Sequence, residues 1–421
     1  MDVFKSLLRQ LDLQDRRALR LAIAGPLVAY IGTRIIETLV LARRRHSTKV
    51  LASPRQSLQL LSAQKLEDLP YPPNALPGAR DVDSPYGNIR VYEWGPEDGR
   101  KVLLVHGIST PCISLAGVAT LLVEKGCRVM LFDLFGRGYS DAPDPDLYPQ
   151  NIELFTAQIL CVTSSSKLPW GAAGRFTMVG YSLGGGISAA FTSYFPELVE
   201  GLVLIAPSGL LRPKHISLSS KLIYGNLLPQ TFVEYYVARR MRGSPRAPAS
   251  SGNPETTKDD KTGVAEVAES ETPAHPAYAA NSVSLIFPDR PMISPAHAVA
   301  WQIDAHPGFV GAFISSIKHA PISGEHERWK LIGSRQSAQR APSQAQRGQT
   351  LKEGKVLVLL GRQDSVIVAD EIDEDAKGTM GEGNVEVVKF EGAHDLPIVN
   401  AEGCVDAIAA FWGNAGLSKS A

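Results

Sequence analysis

A chain of 421 residues carrying 43 Lys+Arg and 43 Asp+Glu has no formal net charge, which speaks against a basic nucleic-acid-binding surface. With 44% hydrophobic and 20% charged residues, it has the composition of a globular protein with a sizeable core. Its 4 cysteines, Cys112, Cys127, Cys161 and Cys404, form no CxxC pair; this argues against a disulfide scaffold or zinc cluster and fits a reducing compartment.

The first 46 residues hold nine Lys/Arg against four Asp/Glu, arranged around an apolar run at 21–42. That run has about the 20 residues a spanning helix needs, but Arg34 and Glu37 interrupt it, three apart and so able to pair on one helix face. Residues 1–46 are therefore expected to form a basic-flanked helix that associates with a membrane. A helix packed on the globular domain of a soluble protein and a cleaved signal peptide are the alternatives. Positive charge on both sides leaves the orientation open. A linker over 47–78 follows, Pro-rich at 70–78.

From 79 onward, short Val/Leu-rich runs alternate with helical patterns, which is the pattern of a mostly parallel α/β sheet with helices on both faces. Strands are predicted at 101–106, 127–133, 175–180, 202–206, 355–360 and 385–390, with a hairpin over 79–94. The stretch 209–353 is too long to be a connection in a compact domain and predicts a helical lid inserted late in the sheet. Within it, 243–281 contains no Leu, Ile, Phe, Met or Trp, and 333–350 is similarly poor in apolar residues, so both are expected to be disordered inserts. Residues 79–208 and 354–415 then form the two parts of the core, and 416–421 a tail.

The segment 180–184 reads Gly-Tyr-Ser-Leu-Gly, a G-x-S-x-G after a predicted strand and before a helical pattern. A strand that turns abruptly into a helix forces Ser182 into a strained conformation, and small residues two positions either side avoid collision. The helix directs its positive end at the hydroxyl and offers the N–H of Leu183 to a developing oxyanion. Ser182 is the expected nucleophile.

Of nine histidines, only His394 directly follows the last predicted strand and precedes the terminal helical pattern, where a general base belongs. Asp364, just beyond the strand at 355–360, is expected to hold its imidazole. Asp370, Asp373 and Asp375 fall in an acidic, solvated run. A second oxyanion donor is expected from the loop after the strand at 101–106, where Gly107 lets the chain turn and the N–H of Ile108 face Ser182. His106, at that strand end, is read as ordering the loop.

These motifs together resemble the α/β-hydrolase superfamily. HG at 106–107, Asp133 followed by GRGYSD at 136–141, GYSLGG at 180–185, GRQD at 361–364 and GAHD at 392–395 match its successive landmarks over 79–208 and 354–415. The resemblance implies the α/β-hydrolase fold, a Ser182–Asp364–His394 triad, an oxyanion hole at Ile108 and Leu183, a lid over the substrate, and no metal or organic cofactor. Serine at 182, where dehalogenases and epoxide hydrolases of the superfamily carry aspartate, points to acyl chemistry. The pattern looks like that of capped carboxylesterases, monoacylglycerol lipases and ring-cleavage-product hydrolases; membrane-anchored monoacylglycerol lipases also carry an N-terminal apolar helix. The expected substrate is a hydrophobic or lipid ester. Carbon–carbon bond hydrolysis or acyl transfer by the same triad, and a non-catalytic membrane-tethered interaction protein, are the alternatives.

Overall fold

The computed structural model describes residues 49–171, 174–212, 228–242, 284–287, 289–290, 292–339 and 350–414, together with 25, 28–34 and 36 near the N-terminus. Residues 25, 28–34 and 36 are helical, and the remainder of the apolar run at 21–42 lies outside the described residues, as do 243–281 and 416–421. No helix among the described residues is long and apolar enough to cross a membrane.

The strands in chain order are β1 (Val50–Leu51), β2 (Ala79–Ser84), β3 (Gly87–Trp94), β4 (Arg100–Val105), β5 (Cys127–Phe132), β6 (Ala142–Pro143), β7 (Phe176–Tyr181), β8 (Val199–Ile205), β9 (Val356–Gly361) and β10 (Val385–Phe390). Eight of them form one sheet in the order β10-β9-β8-β7-β4-β5-β3-β2. Neighbours from β10 to β5 are parallel, whereas β3 runs antiparallel to β5 and to β2, closing the predicted hairpin. The central strands β4, β8 and β9 carry runs of Val, Leu and Ile that are almost wholly buried, and every residue of β7 between them is buried too, as a sheet covered on both faces requires.

The covering helices are α1 (Ala116–Glu124), α2 (Ile152–Ser164), α3 (Leu183–Tyr194), α4 (Gln230–Arg242), α5 (Pro295–Ala305), α6 (Phe309–His319), α7 (His326–Gln339), α8 (Ala369–Met380) and α9 (Ala401–Asn414). Helices α1 and α9 pack together, α3 packs on β7 and β8 and against α2 and α7, and α7 packs on α8. Helices α4, α5 and α6 pack on one another between β8 and β9 in the chain, as a lid should.

Two expectations need correction. The segment 333–350 is not structureless over its first part: α7 continues to Gln339, and only 340–349 lies outside the described residues. The reason is tertiary. Gln336 is buried and accepts the N–H of Leu351 through its side-chain oxygen, while Asn384 donates to the Gly333 carbonyl at 3.1 Å. A Cβ at Gly333 would lie 2.1 Å from the Met380 carbonyl oxygen, so small and polar residues are what this close helix contact demands. Helix α7 thus belongs to the core layer. The stretch 47–78 is likewise more than a spacer. Its β1 pairs with β6, and Tyr71 is fully buried, its hydroxyl donating to the Asp133 carboxylate at 3.0 Å.

Candidate active site

The turn from β7 into α3 places Ser182 at φ 53°, ψ −119°, a left-handed conformation in a residue with a side chain. Its N–H donates to the Ile205 carbonyl at 3.0 Å and its carbonyl accepts from Ser208, so the strained turn is held against the end of β8. The glycines around it are required by contact. A Cβ at Gly180 would lie 2.3 Å from the Gly184 carbonyl oxygen, and one at Gly184 would lie 2.0 Å from that of Val105.

The loops after β9 and β10 lie side by side: Gln363 N–H donates to the Gly392 carbonyl at 2.9 Å, and Arg362 N–H to that of Phe390 at 2.8 Å. This contact brings Asp364 and His394 together. His394 Nδ1 stands 2.8 Å from Asp364 Oδ2, and His394 Nε2 stands 3.0 Å from Ser182 Oγ. The other Asp364 oxygen accepts the N–H groups of Val366 and Ile367, each at 2.8 Å, which fixes the carboxylate through backbone donors. The Tyr181 ring lies tilted beside the imidazole, ring centres 5.4 Å apart. Asp370 and Asp373 meet Lys389 instead, and Asp375 meets Arg212.

The loop after β4 passes close to the serine, since a Cβ at Gly107 would lie 3.3 Å from that of Ser182. His106 is fully buried behind it. Its Nε2 accepts the Leu134 N–H at 2.9 Å, so Nδ1 carries the proton and donates to the Gly107 carbonyl at 2.8 Å. Burial, with the Arg137 charge adding to it, pushes this imidazole down to about 3, and it stays neutral. Leu183, the other expected oxyanion residue, is the first residue of α3.

Residues to which the sequence assigned no role also converge here. From the lid, Gln302 accepts the Gly138 N–H at 2.8 Å and donates to the Ser109 carbonyl at 2.9 Å. His306, pushed down to about 4 by burial, donates to the Ser140 carbonyl at 2.9 Å. Asp395, beside the imidazole of His394 in the chain, is buried and accepts from Ser284 at 3.0 Å, and burial raises its carboxyl to about 6. Isolated polar residues in lid helices leave no motif, so periodicity offers no signal for them.

A family model described as alpha/beta hydrolase fold matches residues 101–242, which span β4 to the end of α4 and include the serine turn. With the sheet order and the strand–turn–helix at Ser182, this decides the fold. The chain has the α/β-hydrolase fold. This hydrolase-fold chain is 32% identical over 128 residues to a zebrafish (Danio rerio) protein named serine hydrolase-like protein, covering 30% of this chain and 37% of that one. A human (Homo sapiens) protein of the same name is 31% identical over 135 residues, 31% of this chain and 63% of that protein. The match thus spans little more than a third of the length of the zebrafish relative. Among solved structures, a thermophilic esterase from Thermogutta terrifontis superposes with a TM-score of 0.51 at 18% identity, covering 80% of this chain and 98% of that one, a likeness of fold.

Proposed function

We propose that this α/β hydrolase cleaves carboxylic esters through an acyl-enzyme on Ser182, with hydrophobic or lipid esters as the preferred substrates. The observation that carries the reading is the hydrogen-bonded line from Asp364 Oδ2 through both ring nitrogens of His394 to Ser182 Oγ. As Ser182 Oγ attacks the ester carbonyl, its proton passes to His394 Nε2, and the N–H groups of Ile108 and Leu183 stabilise the oxyanion of the tetrahedral intermediate. Asp364 holds the Nδ1–H and stabilises the imidazolium. The intermediate collapses, and the leaving alkoxide takes the proton from Nε2. A water deprotonated by the same nitrogen then attacks the acyl-enzyme, and Ser182 recovers its proton as the carboxylic acid departs.

The preference for apolar esters rests on the apolar run at 21–42 and on the apolar lid, in which Phe309 and Phe313 are fully buried. In this reading residues 1–46 bring the enzyme to a membrane. The test is fluorophosphonate labelling of the purified protein beside Ser182→Ala, followed by an ester panel graded by chain length. Labelling mapped to Ser182 and a rise of kcat/KM with chain length is the expected result. An unlabelled, well-folded protein would refute the acyl-enzyme, and cleavage of a dienoic diketone into two fragments would replace ester by carbon–carbon hydrolysis. A preference for short soluble esters that is unchanged on deleting 1–46 would refute the lipid substrate and the membrane role.

A further inference from the structure

Arg137 is buried to the last atom, yet none of the groups that receive its hydrogen bonds is charged. Its Nε donates to the Ile108 carbonyl at 3.0 Å, and Nη1 to the Phe135 carbonyl at 2.9 Å and to Gln150 Oε1 at 3.2 Å. Nη2 donates to Ser316 Oγ at 2.7 Å and points at the Ala312 carbonyl, 3.5 Å away. Taking a guanidinium out of water without a carboxylate costs more than neutral acceptors return, so stability alone does not account for it. What the fork achieves is reach, because it touches the loop after β4, the turn after β5 and lid helix α6 at once.

Gln302 does the same from α5, spanning Gly138 and Ser109. Around these two residues the lid is stitched down elsewhere: Ser315 Oγ accepts the Gln150 N–H at 3.0 Å, and His306 reaches the Ser140 carbonyl. A Cβ at Gly136 would lie 2.3 Å from that of Ala312, so backbone and lid approach as closely as glycine allows.

The carbonyls held this way are consecutive. His106 holds that of Gly107, Arg137 that of Ile108 and Gln302 that of Ser109. In a trans peptide the C=O and the next N–H point in opposite directions, so a fixed Gly107 carbonyl sets the direction of the Ile108 N–H, and fixing the next two peptides prevents the loop from rotating as a whole.

We propose that Gln302 and Arg137 are positioning residues that join the seat of the lid to the oxyanion loop, so that docking of α5 and α6 sets the direction of the Ile108 N–H. The proposal rests on the reading of Ile108 as an oxyanion donor. It makes the lid part of the catalytic geometry as well as a cover over the substrate.

The test compares Gln302→Leu with Asp304→Asn, a control on the exposed side of the same helix whose carboxylate meets Arg242. Amide hydrogen exchange at 107–110 should be at least about tenfold faster in Gln302→Leu and unchanged in Asp304→Asn. On the best ester, kcat should fall about 10- to 100-fold with KM within about twofold and the pH midpoint of kcat unmoved, because displacement of a donor acts on the transition state. Gln302→Glu serves as the second variant if Gln302→Leu does not fold. It keeps an acceptor for Gly138 but lacks the donor for Ser109, so the same loss of kcat is expected. Unchanged exchange at 107–110, or a rise of KM that accounts for the whole effect, would overturn the coupling. Coupled exchange in a wild-type protein that cleaves no ester would instead refute the ester reading and leave the coupling standing.

Discussion

His394 and Ser182 are 212 residues apart in the chain and 3.0 Å apart at Nε2 and Oγ. The gap is closed by two loops at the carboxyl ends of parallel strands, after β7 and after β10, and the Asp364 carboxylate behind the imidazole fixes which nitrogen faces the serine. Ser182→Ala removes only a hydroxyl from this arrangement. It is expected to abolish fluorophosphonate labelling and lower kcat by about 10⁴-fold or more, with stability within about 1 kcal/mol of wild type, read by mass spectrometry and urea unfolding.

Asp364→Asn separates orientation from charge. The amide oxygen can still accept from Val366 and Ile367, but the group facing Nδ1 no longer favours a protonated ring nitrogen there. A fall in kcat of about 10⁴-fold with little change in folding is expected from steady-state kinetics and thermal melts.

His106 is expected to matter for a different reason. His106→Leu leaves the Leu134 N–H and the Gly107 carbonyl without their partner, at a cost of about 1–3 kcal/mol for each buried group left unpaired. Labelling of Ser182 should persist but slow down, whereas a general-base role would make it vanish.

Three buried groups with large shifts contribute to the pH dependence of stability. His106 and His306 are pushed by burial from 6.5 down to about 3 and about 4. On acidification below 6.5 the unfolded chain therefore takes up protons that the folded one refuses, and stability falls. Asp395 works against this. Burial raises it from 3.8 to about 6, so its folded form is favoured by a proton and its contribution is lost as pH rises through that window. At about 1.4 kcal/mol per pH unit of separation, the two imidazoles outweigh the one carboxyl. Urea unfolding should show stability falling between pH 6.5 and 4. Asp395→Asn should be more stable than wild type at pH 7 and lose stability more steeply in acid; a flat profile would refute the burial of both imidazoles.

Gly136 sits at φ +76° against Ala312 of the lid. Gly136→Ala is expected to cost about 3 kcal/mol, part backbone strain and part overlap, measured as a lowered unfolding midpoint. Adding Ala312→Gly should recover the overlap but not the strain.

The parallel sheet, the hairpin before it and the line of Ser182, Asp364 and His394 were all legible in the sequence, because each leaves a local mark. Buried strands read as Val/Leu runs, and the serine turn demands glycines at fixed offsets. Gln302 left no such mark, and the GRGYSD and GAHD motifs that contain Arg137 and Asp395 do not name the partners of those two side chains. A buried polar side chain is identified by its partners, and those of Gln302 lie 164 and 193 residues away in the chain. The fate of 333–339 was decided the same way: its polar, glycine-containing sequence reads as solvated chain until Met380 and Asn384 pack against it. What the sequence determined was therefore the fold and the chain order of Ser182, Asp364 and His394, through short-range pattern. How the lid is fastened to the loop that faces Ser182 was decided only by tertiary structure, because hydrogen bonds between distant segments follow from where the chain brings them together.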